Sequence, residues 1–522
     1  MPSTTLLAAV VGGIILVLHR FVYVPFFSSA LSSIPGPALF AVTKWRLAFD
    51  DWRGTRTRTI NKLHDKYGPV VRVGPNEIAF NSLSALKTIY GAGSGSERTP
   101  FYDMFDAYGK KNLFTFYSPK DHADRKKLLA HAYSKSLMLN GVMAKMVEEK
   151  VQQYLQILEH GPTCANETFT SLHYFSLDSI SDFLYGDFGK TRCLEGNKID
   201  QALLEDITDI SRRNLSWFAV HFPAYTKWLY TRKNLMQRVA RNFYPMKQPT
   251  TYTGIRAHAL HAWKKFLASS EDVKTSSKTQ ESIIGRLWKH HKSQKNGGLG
   301  DLDIASECAD HLLAGIDTTS DTLMFLIWAI SRPENVKYQE RVKEEARAVS
   351  KSAVNEQGIT TVSVCDKLPF LDAVIKETLR LYAPLPASEP RSFQSATKID
   401  GYLVPARTVV SMSPFSLHRN PDVFRHPLVF NPNRWLGDEK DVAEMKKWFW
   451  PFSSGGRMCI GLHLAMAEMT TLVAAIYQRY STSVKMGCED VTPGITSRFE
   501  VFHDDRFKKV SEHESWIDFH QG

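Results

Sequence analysis

The sequence predicts a mostly α-helical protein with a small β-rich part, preceded by an N-terminal membrane anchor helix. Three observations predict it. Long stretches carry apolar residues at helical spacing, above all Glu307 to Ser331 and Leu462 to Tyr480. Strand-like runs are few and short: Val70 to Val73 and Glu77 to Phe80, parted by Gly74-Pro75-Asn76, read as a β-hairpin. The chain also opens on an uncharged apolar run, Leu6 to Leu18.

Composition places the chain among folded globular proteins: 43% of its 522 residues are hydrophobic and 23% charged, too apolar for disorder. Six cysteines, Cys164, Cys193, Cys308, Cys365, Cys459 and Cys488, lie scattered without paired spacing. That pattern is neither a disulfide framework nor a zinc site, and it points to a reducing compartment. The net charge is +11. No nucleic-acid motif or arginine stripe accompanies it, so an anionic membrane surface or an acidic protein is the better partner, and no nucleic acid is expected.

In chain order, Leu6 to Leu18 is interrupted by His19-Arg20, and the apolar run resumes from Phe21 to Phe27 with Pro25 inside. A spanning helix wants roughly 20 residues, and tolerating His19 and Arg20 near an interface extends the run to about 19. No lysine or arginine precedes it, whereas Arg20, Lys44 and Arg46 follow, so the positive-inside rule leaves the bulk of the chain in the cytosol. These flanks suit a signal anchor better than a cleaved signal peptide. Ser33-Ile34-Pro35-Gly36-Pro37 is a stiff break that ends the anchor. Gly91 to Tyr117 mixes glycine, aromatic and polar residues and reads as a long loop, of a length that compact domains reserve for function.

His122 to Leu129 opens a helix with Ser118 or Asp121 as its cap, and His122 and Lys126 stand four apart on one face. Val142 to Leu267 reads as amphipathic helical segments, unusually aromatic over Asn214 to Tyr230. Lys274 to Gly300 is polar and reads as a solvated linker; His290-His291 have no further ligands spaced to make a metal site. Within the long helix over Glu307 to Ser331 sits Ala314-Gly315-Ile316-Asp317-Thr318-Thr319, which is poor helix chemistry. Threonine hydroxyls compete for the backbone, and glycine costs about 1 kcal/mol relative to alanine. A local fault in a central helix is where function is expected.

Asp366 to Leu381 is a further helix, with Pro369 in its first part and Glu377 and Arg380 three apart, the spacing of an ion pair. Pro451 to Gly461 is a glycine-softened loop that carries Cys459 to the mouth of the helix over Leu462 to Tyr480. The helix dipole and backbone N–H groups there favour a thiolate. Gly455, Gly456 and Gly461 let the backbone approach a bulky flat object, and Arg457 is a permanent cation suited to a carboxylate on that object. Pro493-Gly494-Ile495-Thr496 reads as a turn.

Phe452-x-x-Gly455-x-Arg457-x-Cys459-x-Gly461 matches every fixed position of the haem-binding signature of the cytochrome P-450 haem-thiolate monooxygenases, and the chain resembles the microsomal type of that family. The resemblance implies haem b with the Cys459 thiolate as axial ligand, which favours O–O cleavage. It implies that Phe452 and Gly461 belong to the cofactor loop and that Arg457, His122, Lys126 and Arg391 face the haem propionates. Lys126 replaces the arginine usual in the family, making that contact a point charge rather than a fork. It implies that Gly315 opens the oxygen groove, that Thr318 holds the distal hydrogen bond, and that Asp317 relays protons. Arg434, in Phe430-Asn431-Pro432-Asn433-Arg434-Trp435, would complete a buried structural network with Glu377 and Arg380. Gly401 to Pro405 and Thr408 to Ser411 resemble strands of the family's small sheet, His418-Arg419-Asn420-Pro421 is a further match, and the turn at Pro493 would point into the substrate pocket. The implied organisation is an anchor over residues 1–30 and a single haem-binding monooxygenase domain over 31–522.

The leading function is therefore a monooxygenase that inserts one atom of dioxygen, by hydroxylation or epoxidation, into an apolar small molecule. No flavin or nicotinamide fingerprint is present, so electrons must come from NADPH–cytochrome reductase in the same membrane. The expected location is the endoplasmic reticulum membrane, single-pass, with the catalytic domain in the cytosol. The stretch Tyr67 to Glu77 resembles filamentous-fungal members, which sets a terpenoid or polyketide secondary metabolite as the expected substrate class. Two alternatives stand beside it: a haem-thiolate isomerase or dehydratase, which has no need of Asp317 and Thr318 as a proton relay, and a non-enzymatic haem-binding membrane protein.

Overall fold

The computed structural model describes residues 2–160, 165–209, 211–231, 235, 239, 253–293, 299–498 and 500–521. Cys164, the Asn296-Gly297-Gly298 run and residues 240–252 of the expected pocket region lie outside the described residues. Helix α1 (Pro2–Leu18) continues into a wider π-helical segment, His19–Ser28, that contains Pro25. Together Thr4–Ser28 make one apolar helix of 25 residues, and the most apolar part of it has no protein packed around it. It is long enough to cross a bilayer.

The foot of that helix is fastened to a sheet. Arg72, on β1 (Val70–Gly74), donates to the carbonyl of Pro25 at 2.7 Å and to that of Leu31 at 3.4 Å. The expected hairpin forms between β1 and β2 (Glu77–Phe80). Three distant strands, β3 (Glu97–Arg98), β4 (Arg391–Ser392) and β5 (Val409–Ser411), extend it into a five-stranded sheet of order β1-β2-β5-β4-β3. β3 and β4 run antiparallel with Arg98 directly opposite Arg391.

The helical body comprises α2 (Pro119–Leu129), α3 (Gly141–His160), α4 (Thr168–Tyr185), α5 (Ser211–His221), α6 (Pro223–Thr231), α7 (Thr253–Ala268), α8 (Ile283–Ser293), α9 (Asp301–Ile330), α10 (Val336–Arg347), α11 (Pro369–Leu381) and α12 (Leu462–Arg479). The Ser118 hydroxyl caps α2 by accepting from the Lys120 and Asp121 amides at 3.1 and 3.4 Å. α11 starts at Pro369, three residues later than expected, because proline suits the first helical position, where no amide hydrogen bond is lost. The central helix is α9, 30 residues and about 45 Å long. It begins six residues earlier than expected, where the Asp303 carboxylate accepts the Gly300 amide at 2.9 Å. It packs along α4 and against α7, α11 and α12, and Leu312, Ile316, Leu323, Ile327 and Ile330 are all fully buried.

Two expectations are corrected. The stretch expected as a solvated linker is helical over Glu271–Thr275, Ser277–Glu281 and α8, and α8 buries Ile283, Ile284, Leu287 and Trp288. On α8, Lys289 and Lys292 are exposed and His290 and His291 half-buried. Pro493 to Thr496 is not a turn but lies within β6 (Val491–Ser497), with Ile495 buried at 1% exposure. The first half of β6 pairs in parallel with β8 (Lys509–Glu512) and the second half antiparallel with β7 (Glu500–Phe502). Each half therefore has one unpaired side, and Pro493 loses no ladder bond by lacking an N–H.

Candidate active site

The loop from Pro451 to Gly461 is held from outside by short backbone contacts. Gly455 has φ +62°, and a Cβ there would stand 2.4 Å from the Tyr90 carbonyl oxygen, so only glycine fits. The missing side chain makes room for the Tyr90–Ala92 backbone. A Cβ at Gly456 would meet nothing within 4 Å, and one at Gly461 would meet only the Cys459 Sγ at 3.9 Å. The Cys459 amide donates to the Phe452 carbonyl at 2.9 Å, and Phe452 packs against the main core. Cys459 is accessible, whereas Cys193, Cys308 and Cys365 are buried. Burial of its surroundings raises the Cys459 thiol above its ordinary range; the Gly461 and Leu462 amides and the Lys126 ammonium act in the opposite direction but do not prevail.

Basic side chains converge beside this loop. Arg457 donates to the carbonyls of Phe116 (2.9 Å) and Tyr117 (2.6 Å). Lys126 reaches across from α2 to the carbonyls of Gly456 (3.0 Å) and Met458 (2.8 Å), so it straps the cysteine loop. Arg391 is 1% exposed and donates to Tyr102 Oη at 2.6 Å and Glu389 Oε2 at 3.1 Å. Arg98, which the sequence reading passed over, donates to the carbonyls of Leu113 (3.0 Å) and Phe114. Burial and the neighbouring arginines push Arg98 down to about 10 and Arg457 down to about 9. His122 is depressed to about 2 by burial and then by Arg457, Arg98, Lys126 and Arg391, so it is neutral.

This arrangement is a test of fit. Two like charges directly opposite on adjacent strands, Arg98 and Arg391, are destabilising by themselves. Five basic groups, four of them depressed by burial and then by one another, suit an anionic ligand with more than one carboxylate. An accessible cysteine beside them suits a metal ion bound to that ligand. The residues fit a haem with paired propionates.

Glu377, Arg380 and Arg434 meet in one network. The Glu377 carboxylate takes a bidentate pair from Arg380 (2.8 and 2.9 Å), one bond from Arg434 Nε (3.0 Å), one from the Asn431 amide (2.9 Å) and one from Trp435 Nε1 (3.0 Å). Glu377 and Arg380 are wholly buried. His418 extends the network toward the cysteine loop. Its Nδ1 lies 3.1 Å from the Arg380 carbonyl, an acceptor only, so Nδ1 carries the hydrogen; Nε2 then accepts the Trp450 amide at 2.8 Å. Burial and then Arg380 and Arg419 hold His418 down at about 3, in keeping with a neutral ring.

On α9, Ala314 is exposed and Thr318 half-buried although most of the helix around them is buried, so open space lies against this face. The Thr318 hydroxyl donates to the Ala314 carbonyl at 2.9 Å. A Cβ at Gly315 would stand 2.5 Å from Ile180 Cγ1, so the missing side chain lets α4 pack close. That is a packing reason for a residue expected to open the oxygen groove. Asp317 Oδ1 lies 3.8 Å from Nε2 of His173 on α4, another residue the sequence reading missed. Thr319 is one of two hydroxyl residues that lower the buried Glu468 carboxyl, on the helix that the cysteine loop feeds.

Comparison with known proteins shows the family. The cytochrome P450 family model matches residues 35–499. Cytochrome P450 monooxygenase stcB of Emericella nidulans is 30% identical, over 88% of this chain and 83% of that protein. Cytochrome P450 monooxygenase aflV of Aspergillus parasiticus is 30% identical, over 86% and 85%. Cytochrome P450 monooxygenase hkm5 of Aspergillus hancockii is 26% identical, over 92% and 90%. The chain belongs to the cytochrome P450 family. Within it, the chain is an oxidoreductase of the monooxygenase class and resembles fungal members.

Proposed function

We propose that this chain is a microsomal monooxygenase of fungal secondary metabolism, carrying haem b and drawing electrons from NADPH–cytochrome reductase. The convergence of Arg98, Arg391, Arg457, Lys126 and neutral His122 beside accessible Cys459 carries this reading. Haem so ligated supplies dioxygen activation. Cys459 would hold the haem iron through its sulfur. Arg98, Arg391 and Arg457 bind the propionates, with His122 offering one N–H donor. Thr318 presents its oxygen to the open space beside Ala314, and Asp317 passes protons to it. The substrate is an apolar terpenoid or polyketide intermediate.

Membrane contact extends past the anchor. Leu39, Trp45, Phe49, Trp52 and Phe222 are exposed, and the Trp45 and Phe222 rings pack at 5.1 Å. This apolar surface lies on the segment that follows the anchor and on the aromatic α5–α6 region, which supports seating in the endoplasmic reticulum membrane with the catalytic body in the cytosol. The test is the reduced, carbon-monoxide-bound spectrum of the full-length protein. A red-shifted thiolate band is expected, and Cys459→Ser abolishes it. Oxidation of NADPH only when reductase is present then separates a monooxygenase from an isomerase. A wild-type protein without that band sinks the reading.

A further inference from the structure

Lys126 stands on α2, one turn beyond His122, and its Nζ donates to two carbonyls of the cysteine loop, Gly456 at 3.0 Å and Met458 at 2.8 Å. Those carbonyls lie on either side of Arg457, and Met458 directly precedes Cys459. The turn beneath them is short: Gly455–Arg457 is closed by the Met458 amide on the Gly455 carbonyl at 3.2 Å. The Met458 side chain is 43% exposed and gives the loop little packing. The base from which Lys126 reaches is itself fixed. Its neighbour Arg125 is buried and pairs with the wholly buried Glu307 of α9, and Leu129 is buried one turn further on. Through these two basic residues α2 ties the cysteine loop to the central helix. An ammonium suits the task. Its tetrahedral head offers three hydrogens, enough for two carbonyls of one loop, whereas a guanidinium is a planar fork matched to a carboxylate.

We propose that Lys126 is a positioning residue for Cys459: it pins the turn that carries the cysteine, and the propionates are left to Arg98, Arg391, Arg457 and His122. This rests on the reading of Cys459 as the ligand of haem iron. The lysine thereby departs from the propionate role that the family resemblance implies for its position. The two pinned carbonyls belong to the residues one and three places ahead of Cys459, so the ammonium acts on the backbone from which the sulfur hangs. Without the strap, the stretch keeps the Cys459 amide bond to the Phe452 carbonyl at 2.9 Å and the Arg457 bonds to Phe116 and Tyr117. The loop therefore still folds, and what is lost is the fixed position of the sulfur relative to α2 and α9.

The test uses the full-length, haem-loaded protein. Lys126→Met keeps the aliphatic stem and removes the ammonium, Lys126→Gln keeps a single donor head, and Arg98→Gln is the control for a propionate donor. The first readout is the rate at which the red-shifted reduced-carbon-monoxide band gives way, at fixed temperature, to the blue-shifted band of haem that has lost its thiolate. The second is the width of the iron–sulfur stretching band in the Raman spectrum of the oxidised protein, and the third is haem transfer to apomyoglobin. Lys126→Met is expected to speed the loss of the thiolate several-fold and to broaden the iron–sulfur band, with haem transfer unchanged. Lys126→Gln is expected to fall between it and the wild type. Arg98→Gln is expected to show the opposite pattern, with faster transfer and an unaltered iron–sulfur band. Faster haem transfer in Lys126→Met with thiolate loss at the wild-type rate overturns the proposal and makes Lys126 a propionate donor. An iron–sulfur band unchanged in both Lys126 variants overturns it too, because a residue that only stabilises the fold leaves that band alone. A wild-type protein without the red-shifted band instead fails the underlying reading of Cys459, and the strap falls with it.

Discussion

Glu468 is a carboxyl with almost no access to water, 3% exposed, on the helix that follows Cys459. Burial pushes it up to about 8, against a smaller lowering by Thr319 and Ser179. At neutral pH it is an acid that keeps its proton. The sign of the consequence follows from linkage: the folded chain binds a proton here that the unfolded chain has lost, so stability falls as pH rises from the ordinary carboxylate range to about 8. The slope is about 1.4 kcal/mol per pH unit at most within that window. Thermal unfolding followed across that range should lose this slope in Glu468→Gln, which keeps a hydrogen-bonding head without titrating. Arg98 gives a second expectation of this kind. Arg98→Gln removes one of the cations that depress His122 and Arg457 and, on the proposed function, a propionate partner. Haem transfer to apomyoglobin should accelerate several-fold, while Lys120→Gln on the exposed side of α2 should leave the rate unchanged.

Among the elements, the segment from α11 to the cysteine loop is held by one buried carboxylate, with His418 as the rivet between Arg380 and Trp450. Glu377→Gln leaves the Arg380 guanidinium buried without its counter-charge, a loss of about 3–5 kcal/mol. Expression should yield protein of lowered unfolding midpoint and little bound haem; a normal midpoint with full haem content would show that the network is dispensable. This part of the site was legible in the sequence because each member sits in a short motif at fixed spacing. Arg98 was not legible, since its role depends on a two-residue strand pairing with Arg391, 293 positions away. His173 was missed because a lone histidine on an apolar helix reads as core, and only the packing of α4 on α9 brings it to Asp317. The α8 error had another cause: its lysines and histidines dominate the composition, although Ile283, Ile284, Leu287 and Trp288 mark a buried face. At Pro493-Gly494 the strongest turn signal lost to tertiary pairing, because β6 changes partner midway.

At the scale of the whole molecule, two apolar surfaces are available to a membrane: the helix over Thr4–Ser28, and the exposed patch around Trp45, Phe49, Trp52 and Phe222. Deleting residues 1–28 removes the first and leaves the second. The truncated protein should remain folded with an unchanged reduced-carbon-monoxide band. It should become extractable from membranes by detergent at low concentration or by high salt, rather than partition wholly into the soluble fraction. Full solubility at once would show that the patch contributes nothing.

Arg72 draws these two surfaces into one frame. Its guanidinium sits on a buried strand and grips the Pro25 carbonyl, at the point where the apolar helix leaves the body. A helix gripped there cannot swivel freely about a loose tether. On a bilayer such a helix would hold the body at a set tilt and height, and a partner confined to the same plane would meet it over a narrow range of attitudes. Orientation is commonly the costly part of productive encounter. Much of that search would then be done before the two molecules touch.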